Sequence, residues 1–81
     1  MLETAIADHG LVGDLQTAAL ITAERSRGAA PDNMPAMDLA TSLNLMNERM
    51  MMATLSDEEG AVPRERIVDT LTHIWLTSIY G

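Results

Sequence analysis

Apolar residues recur every three or four positions through most of this chain, and the period is that of a helix rather than a strand. Leu11, Leu15, Ala18 and Thr22 fall in one line, with Leu20 and Ala23 alongside. Leu39, Leu43, Met46, Met50 and Ala53 form a second line, flanked by Ala40, Asn44, Asn47 and Met51, with Leu45 and Met52 on yet another side. Ile67, Leu71, Ile74 and Ser78 form a third, beside Val68, Leu71, Trp75 and Ile79. No segment alternates as a half-buried strand does. The breakers between these lines set the elements. Gly28-Ala29-Ala30-Pro31 stops a first helix over about 2–27, a glycine at the cap with a proline shortly after. Arg25 and Arg27 then sit in its last turn, where cations suit the helix dipole. Gly10 and Gly13 each cost such a helix about 1 kcal/mol, so its second half is the stronger, with Asp14 as an alternative N-cap. Pro35 is suited to the first position of a second helix, ending near Leu55, and Pro63 to that of a third, ending near Tyr80. The expectation is an all-α fold of three helices without internal repeats.

The second helix is apolar nearly all round, which predicts a buried element, and at about 30 Å it should be the spine of the fold. Composition sharpens this. Hydrophobic residues make up 47%, yet there is one Trp, one Tyr, no Phe and seven Met. A chain of this size buries only about 60–65% of its unfolded surface. So large an apolar supply implies that part of it is covered by another subunit or domain. Without cysteine there is neither a disulfide nor a thiolate metal site. The net charge of -7, with no lysine and scattered arginines, argues against direct nucleic-acid binding. No stretch reaches the roughly 20 apolar residues of a membrane span, and the N-terminus lacks the features of a signal peptide. The simplest location is cytoplasmic.

Candidate chemistry is sparse. Asp69 and His73 lie four apart and could pair on one helix face, but no nucleophile accompanies them, and His9 has no companion at metal-ligand spacing. Asp57-Glu58-Glu59 lacks the spacing of a calcium loop and reads as a solvated charge run. Glu48-Arg49 could form a buried or intersubunit ion pair. Neither catalysis nor a cofactor is implied. Asn44 and Asn47 stand out: three residues apart, their amides should point the same way from an oily wall. They are either core amides bonded to neighbouring groups or part of a cavity where a ligand supplies the partner. A buried carboxamide without one costs roughly 1–3 kcal/mol. Trp75 is on the same terms, core or ligand platform, and Thr17 alone carries no signal.

Three strings decide how these residues are read: Ala23-Glu24-Arg25-Ser26-Arg27-Gly28-Ala29-Ala30-Pro31; Leu39-Ala40-Thr41 through Leu43-Asn44-Leu45-Met46-Asn47-Glu48-Arg49; and Asp69-Thr70-Leu71-Thr72-His73-Ile74-Trp75 through Thr77-Ser78-Ile79-Tyr80-Gly81. In this order and spacing they closely resemble the C-terminal part of a TetR-family transcriptional regulator, from about Thr17 to Gly81. The resemblance implies the last three helices of the domain that binds ligand and dimerises. It implies a homodimer through residues 35–55 and 63–80, pairing as a four-helix bundle. It also implies a long, mainly hydrophobic ligand tunnel, whose lining matches Thr17, Asn44, Asn47, Met51, Met52 and Trp75. Upstream, Gly10, Gly13 and Gln16 replace the family's aromatic lining, and the helices closing the rest of the tunnel are not in this chain.

The whole of residues 1–81 is thus expected to be a partial TetR-type regulatory and dimerisation domain, with no helix-turn-helix and no DNA binding of its own. A truncated repressor, a late-starting reading frame and a stand-alone dimerisation module all fit. The expected ligand is a small hydrophobic effector. The alternative is a purely structural dimerisation module without ligand function.

Overall fold

A computed structural model describes residues 2–81, with side chains described from Val12 onward. It contains three α-helices, α1 (Leu2–Ser26), α2 (Ala36–Leu55) and α3 (Arg64–Tyr80), and no strand among the described residues. The all-α expectation holds. α1 runs through both Gly10 and Gly13, so Asp14 is an interior residue of the helix and not its cap. Both prolines sit one position earlier than predicted. Pro35 and Pro63 have helical φ but extended ψ (132° and 149°), which places them at the N-caps rather than inside the first turn. Their carbonyls nonetheless start the helices: the Leu39 N–H donates to Pro35 and the Arg66 N–H to Pro63. Proline fixes φ but leaves ψ free, so it fits either position.

Both interhelical corners close by the same device. At the end of α1 the Gly28 N–H donates to the Arg25 carbonyl and the Ala29 N–H to that of Glu24, with Gly28 at φ 80°. This is the paired 5→2 and 6→1 arrangement that satisfies terminal carbonyls. At the end of α2 the Asp57 N–H bonds Thr54 and the Glu58 N–H bonds Ala53, but the left-handed residue is Asp57, at φ 54°. Gly60 serves a following turn at φ 82°. The Thr54 hydroxyl, buried, donates to the Val62 carbonyl at 2.6 Å and ties this corner to the base of α3.

α2 packs against both α1 and α3 and is the spine. The core is small: Ile21 from α1, Leu39, Ala40 and Leu43 from α2, and Ile79 from α3, with Ala18, Ala30, Met46 and Trp75 packed around them. All three helices therefore meet at the end where α3 finishes. There the Glu24 carboxyl is held below its ordinary range, chiefly by the Arg27 side chain, and also by the Tyr80 hydroxyl. Burial and Glu24 together push the Tyr80 hydroxyl up. Arg25, also in the last turn, turns back to donate to the Met34 carbonyl at 2.6 Å and to Asp32 at 3.3 Å, pinning the α1–α2 linker.

The rest is open. The chain spans 40 × 35 × 16 Å with a radius of gyration of 14.2 Å, against about 12 Å for a compact domain of this length. α2 is consequently not buried all round, since Leu45 and Met52 are each 60% exposed. On α3, Val68 is 67% exposed although it belongs to the predicted apolar face. With one helix on each side, α2 has only two covered flanks. The apolar surplus read from the composition lies on the outside of this chain.

Candidate functional site

Asn44 and Asn47 do not share surroundings. Residues three apart on a helix are offset by about 60° around its axis, and α2 lies between two neighbours. Asn44 turns to α1, where its Nδ2 donates to Asp14 Oδ1 at 2.8 Å and, over a longer contact of 3.4 Å, to Thr17 Oγ1. The Thr41 hydroxyl, one turn earlier on α2, donates to the other Asp14 oxygen at 3.1 Å. Four half-buried polar side chains thus close on one another between α1 and α2. Thr17, which the resemblance assigned to the ligand lining, lies beside Asn44. Asp14 and Thr41 were missed as members of the site. The signal was present: Asp14/Thr17 and Thr41/Asn44 are both i, i+3 polar pairs, which share a helix face.

Asn47 instead lines a cleft of about 260 Å³ against α3, with Leu71, Thr72, Trp75 and Leu76 as its other walls. The lining is mostly apolar, with the Asn47 amide and the Thr72 hydroxyl as polar points. Trp75 is also a wall of the cleft, but its indole Nε1 is sealed from solvent and has no hydrogen-bond partner among the described residues. An unpaired buried N–H costs about 1–3 kcal/mol, and such atoms in native structures call for an explanation. Thr72 and the two leucines were not singled out in the sequence, because their role depends on how α3 crosses α2.

The remaining candidates separate. Met51 is half-buried, whereas Met52 is exposed and lines neither place. Asp69 and His73, both exposed, form no ion pair, and with Arg66, Thr70 and Ile74 they border an open groove on α3 alone. His9 lies outside the residues whose side chains are described. The Glu48–Arg49 pair does not form. Adjacent residues on a helix face different ways, and Arg49 instead makes two bonds to Glu58, at 2.8 and 3.0 Å. This guanidinium holds the Glu58 carboxyl below its ordinary range. The acidic run is therefore only partly free, since Asp57 also lies 3.7 Å from Arg64.

An all-α regulatory domain with an apolar cleft and a few placed amides is the class this arrangement defines, that of the TetR-family C-terminal domains. The chain belongs to the family described as "Transcriptional regulator EthR, C-terminal domain", whose model matches residues 14–81. It is 75% identical over 65 residues to the HTH-type transcriptional regulator EthR of Mycolicibacterium smegmatis, and 62% identical over 65 residues to that of Mycobacterium tuberculosis H37Rv. In each case the match covers 80% of this chain and 30% of the relative. The chain therefore spans about 30% of the length of these curated relatives. These relatives are named as HTH-type transcriptional regulators. Among the described residues no helix is long and apolar enough to cross a membrane.

Proposed function

We propose that this domain senses a small hydrophobic effector and dimerises, within a repressor that meets DNA through a helix-turn-helix domain and works in the cytoplasm. The observation that carries the reading is the cleft between α2 and α3, where the Asn47 amide stands among apolar walls that include Trp75. Apolar concavity with a few convergent polar groups is what a small-molecule site requires. Asn44, Thr17 and Met51 belong to the same reading as its extension along α2, and exposed Met52 as part of a rim completed by other elements. The effector acts on DNA binding only through a difference in its affinity for two states of the dimer.

The exposed apolar residues of α2 and α3, Leu45, Met52, Val68 and Leu76 among them, support a homodimer through residues 35–55 and 63–80. Self-complementary pairing of one such face is the usual route to a symmetric dimer. The structural module without ligand function is less favoured because a cleft lies beside Asn47. Titration of the protein with N-hexylbenzamide, followed by Trp75 fluorescence, tests the sensor reading. A saturable change weakened in Asn47→Ala is expected. Unchanged emission up to the solubility limit of the amide counts against it. Sedimentation equilibrium at micromolar concentration tests the dimer, and a stable monomer counts against pairing.

A further inference from the structure

The groove on α3 holds an acid and two bases that do not neutralise one another. Arg66, Asp69 and His73 are exposed, Thr70 and Ile74 are half-buried, and together they border an open space of about 390 Å³. Asp69 lies three residues after Arg66 and four before His73, spacings at which helix side chains are neighbours. Among the described residues neither base forms an ion pair with it.

The order of these residues along the helix lets the groove fit itself. An antiparallel second copy passes in reverse, so positions equally far from a two-fold axis on either side come together. Asp69 and His73 are centred on position 71, and Thr70 and Ile74 on position 72, about 1.5 Å further along the helix. One axis at this level therefore brings each Asp69 to the partner's His73 at the rim, and each Thr70 to the partner's Ile74 on the floor. We infer that a second copy of this chain docks antiparallel in the α3 groove, with Asp69 against the partner's His73 as the contact that sets the register. Apolar burial is non-directional and tolerates sliding. The charged rim does not: an axis at position 69 sets the two Asp69 carboxylates against each other, and like charges so placed suppress a wrong alignment. The inference rests on the homodimer reading above and adds to it a place and a register.

Sedimentation equilibrium of the full chain tests it with Asp69→Lys, His73→Glu and their equimolar mixture. Asp69→Lys removes the acid from both contacts, and His73→Glu sets acid against acid. Each alone should raise the dimer Kd by about tenfold. In the mixture the introduced ammonium of one chain faces the introduced carboxylate of the other, while Asp69 faces His73 in the second contact. The Kd should then return close to that of the unaltered protein. A dimer whose Kd neither single variant changes overturns the inference and leaves the homodimer reading standing. Weakened single variants without recovery in the mixture also overturn it, since the loss then arises within each chain. A monomeric unaltered protein overturns both. A second readout keeps every charge in place and does not depend on the folding of those variants. The chain has no cysteine, so Thr70→Cys should be linked into dimers by a short bismaleimide at least tenfold faster than Asn33→Cys, at an exposed position outside the helices. Equal rates overturn the placement.

Discussion

On the α1 side of α2, Asn44 sits in a closed polar cluster where its NH₂ and the Thr41 hydroxyl find acceptors. On the α3 side, three residues later, Asn47 faces a cleft where a buried tryptophan N–H has none. The same residue type on the same helix therefore has two physical roles. Next to α1 an amide is internal glue, and removing its acceptor leaves donors stranded. Next to α3 the Asn47 amide borders a cleft, and the buried Trp75 N–H beside it has no partner among the described residues. The difference is set by the neighbour. α1 offers Asp14 and Thr17 at matching heights, whereas the stretch of α3 opposite Asn47 offers Leu71, Thr72, Trp75 and Leu76.

The largest perturbation removes the residue on which both sides depend. Ile21→Ala, at a fully buried position in the shared cluster, should cost about 2–5 kcal/mol. In a domain this small that should abolish the cooperative thermal transition followed by circular dichroism, and with it any distinction between the two sides. Asp14→Ala breaks the closed side alone. Stranding the Asn44 and Thr41 donors should cost about 1–3 kcal/mol in urea unfolding. A loss below a few tenths would mean that the cluster is solvated rather than structural. Trp75→Phe is the matching change on the open side. It keeps most of the ring and deletes the unpaired N–H, so the expected change is near zero or slightly stabilising, while amide binding weakens. A loss as large as that of Asp14→Ala would erase the contrast.

Smallest is the effect of pH on the exposed Arg49–Glu58 contact. The folded state lowers the Glu58 pKa below its ordinary 4.5, so the stabilisation is fully present above that value. It is lost as the pH falls through the lowered folded-state value. The destabilisation caused by Arg49→Gln should therefore be measurable at pH 7 and absent at the acid end of a urea series. Persistence at low pH would assign it to packing of the arginine stem instead.

Much of the fold was legible because glycine and proline punctuate it. Gly28 does take the left-handed cap position, and both prolines mark helix starts to within one residue. The site was less legible, for reasons of rotation rather than composition. The i, i+3 spacing of Asn44 and Asn47 suggests one shared face of α2, yet one amide meets α1 and the other borders α3. A 60° offset becomes a change of neighbour only when two other helices straddle that side, and no single-helix pattern reports this. Asp14 was misread for a local reason: flanked by Gly10 and Gly13 it resembles a cap, while its acceptors are used by residues 27 and 30 positions away. Only the resemblance to TetR-type regulators singled out Thr17 and Trp75; the residues alone gave no signal at Thr17 and left Trp75 as core or ligand platform.

The flatness of the domain has a mechanical consequence. Leu45 lies two residues before Asn47, about 200° around α2, so the two side chains project to nearly opposite sides of the spine. Any roll of α2 that widens or narrows the cleft beside Asn47 sweeps Leu45 through the same angle on the far side. A thin layer of helices is in this sense a lever with its pivot in the middle: what enters on one face is felt at once by whatever rests on the other.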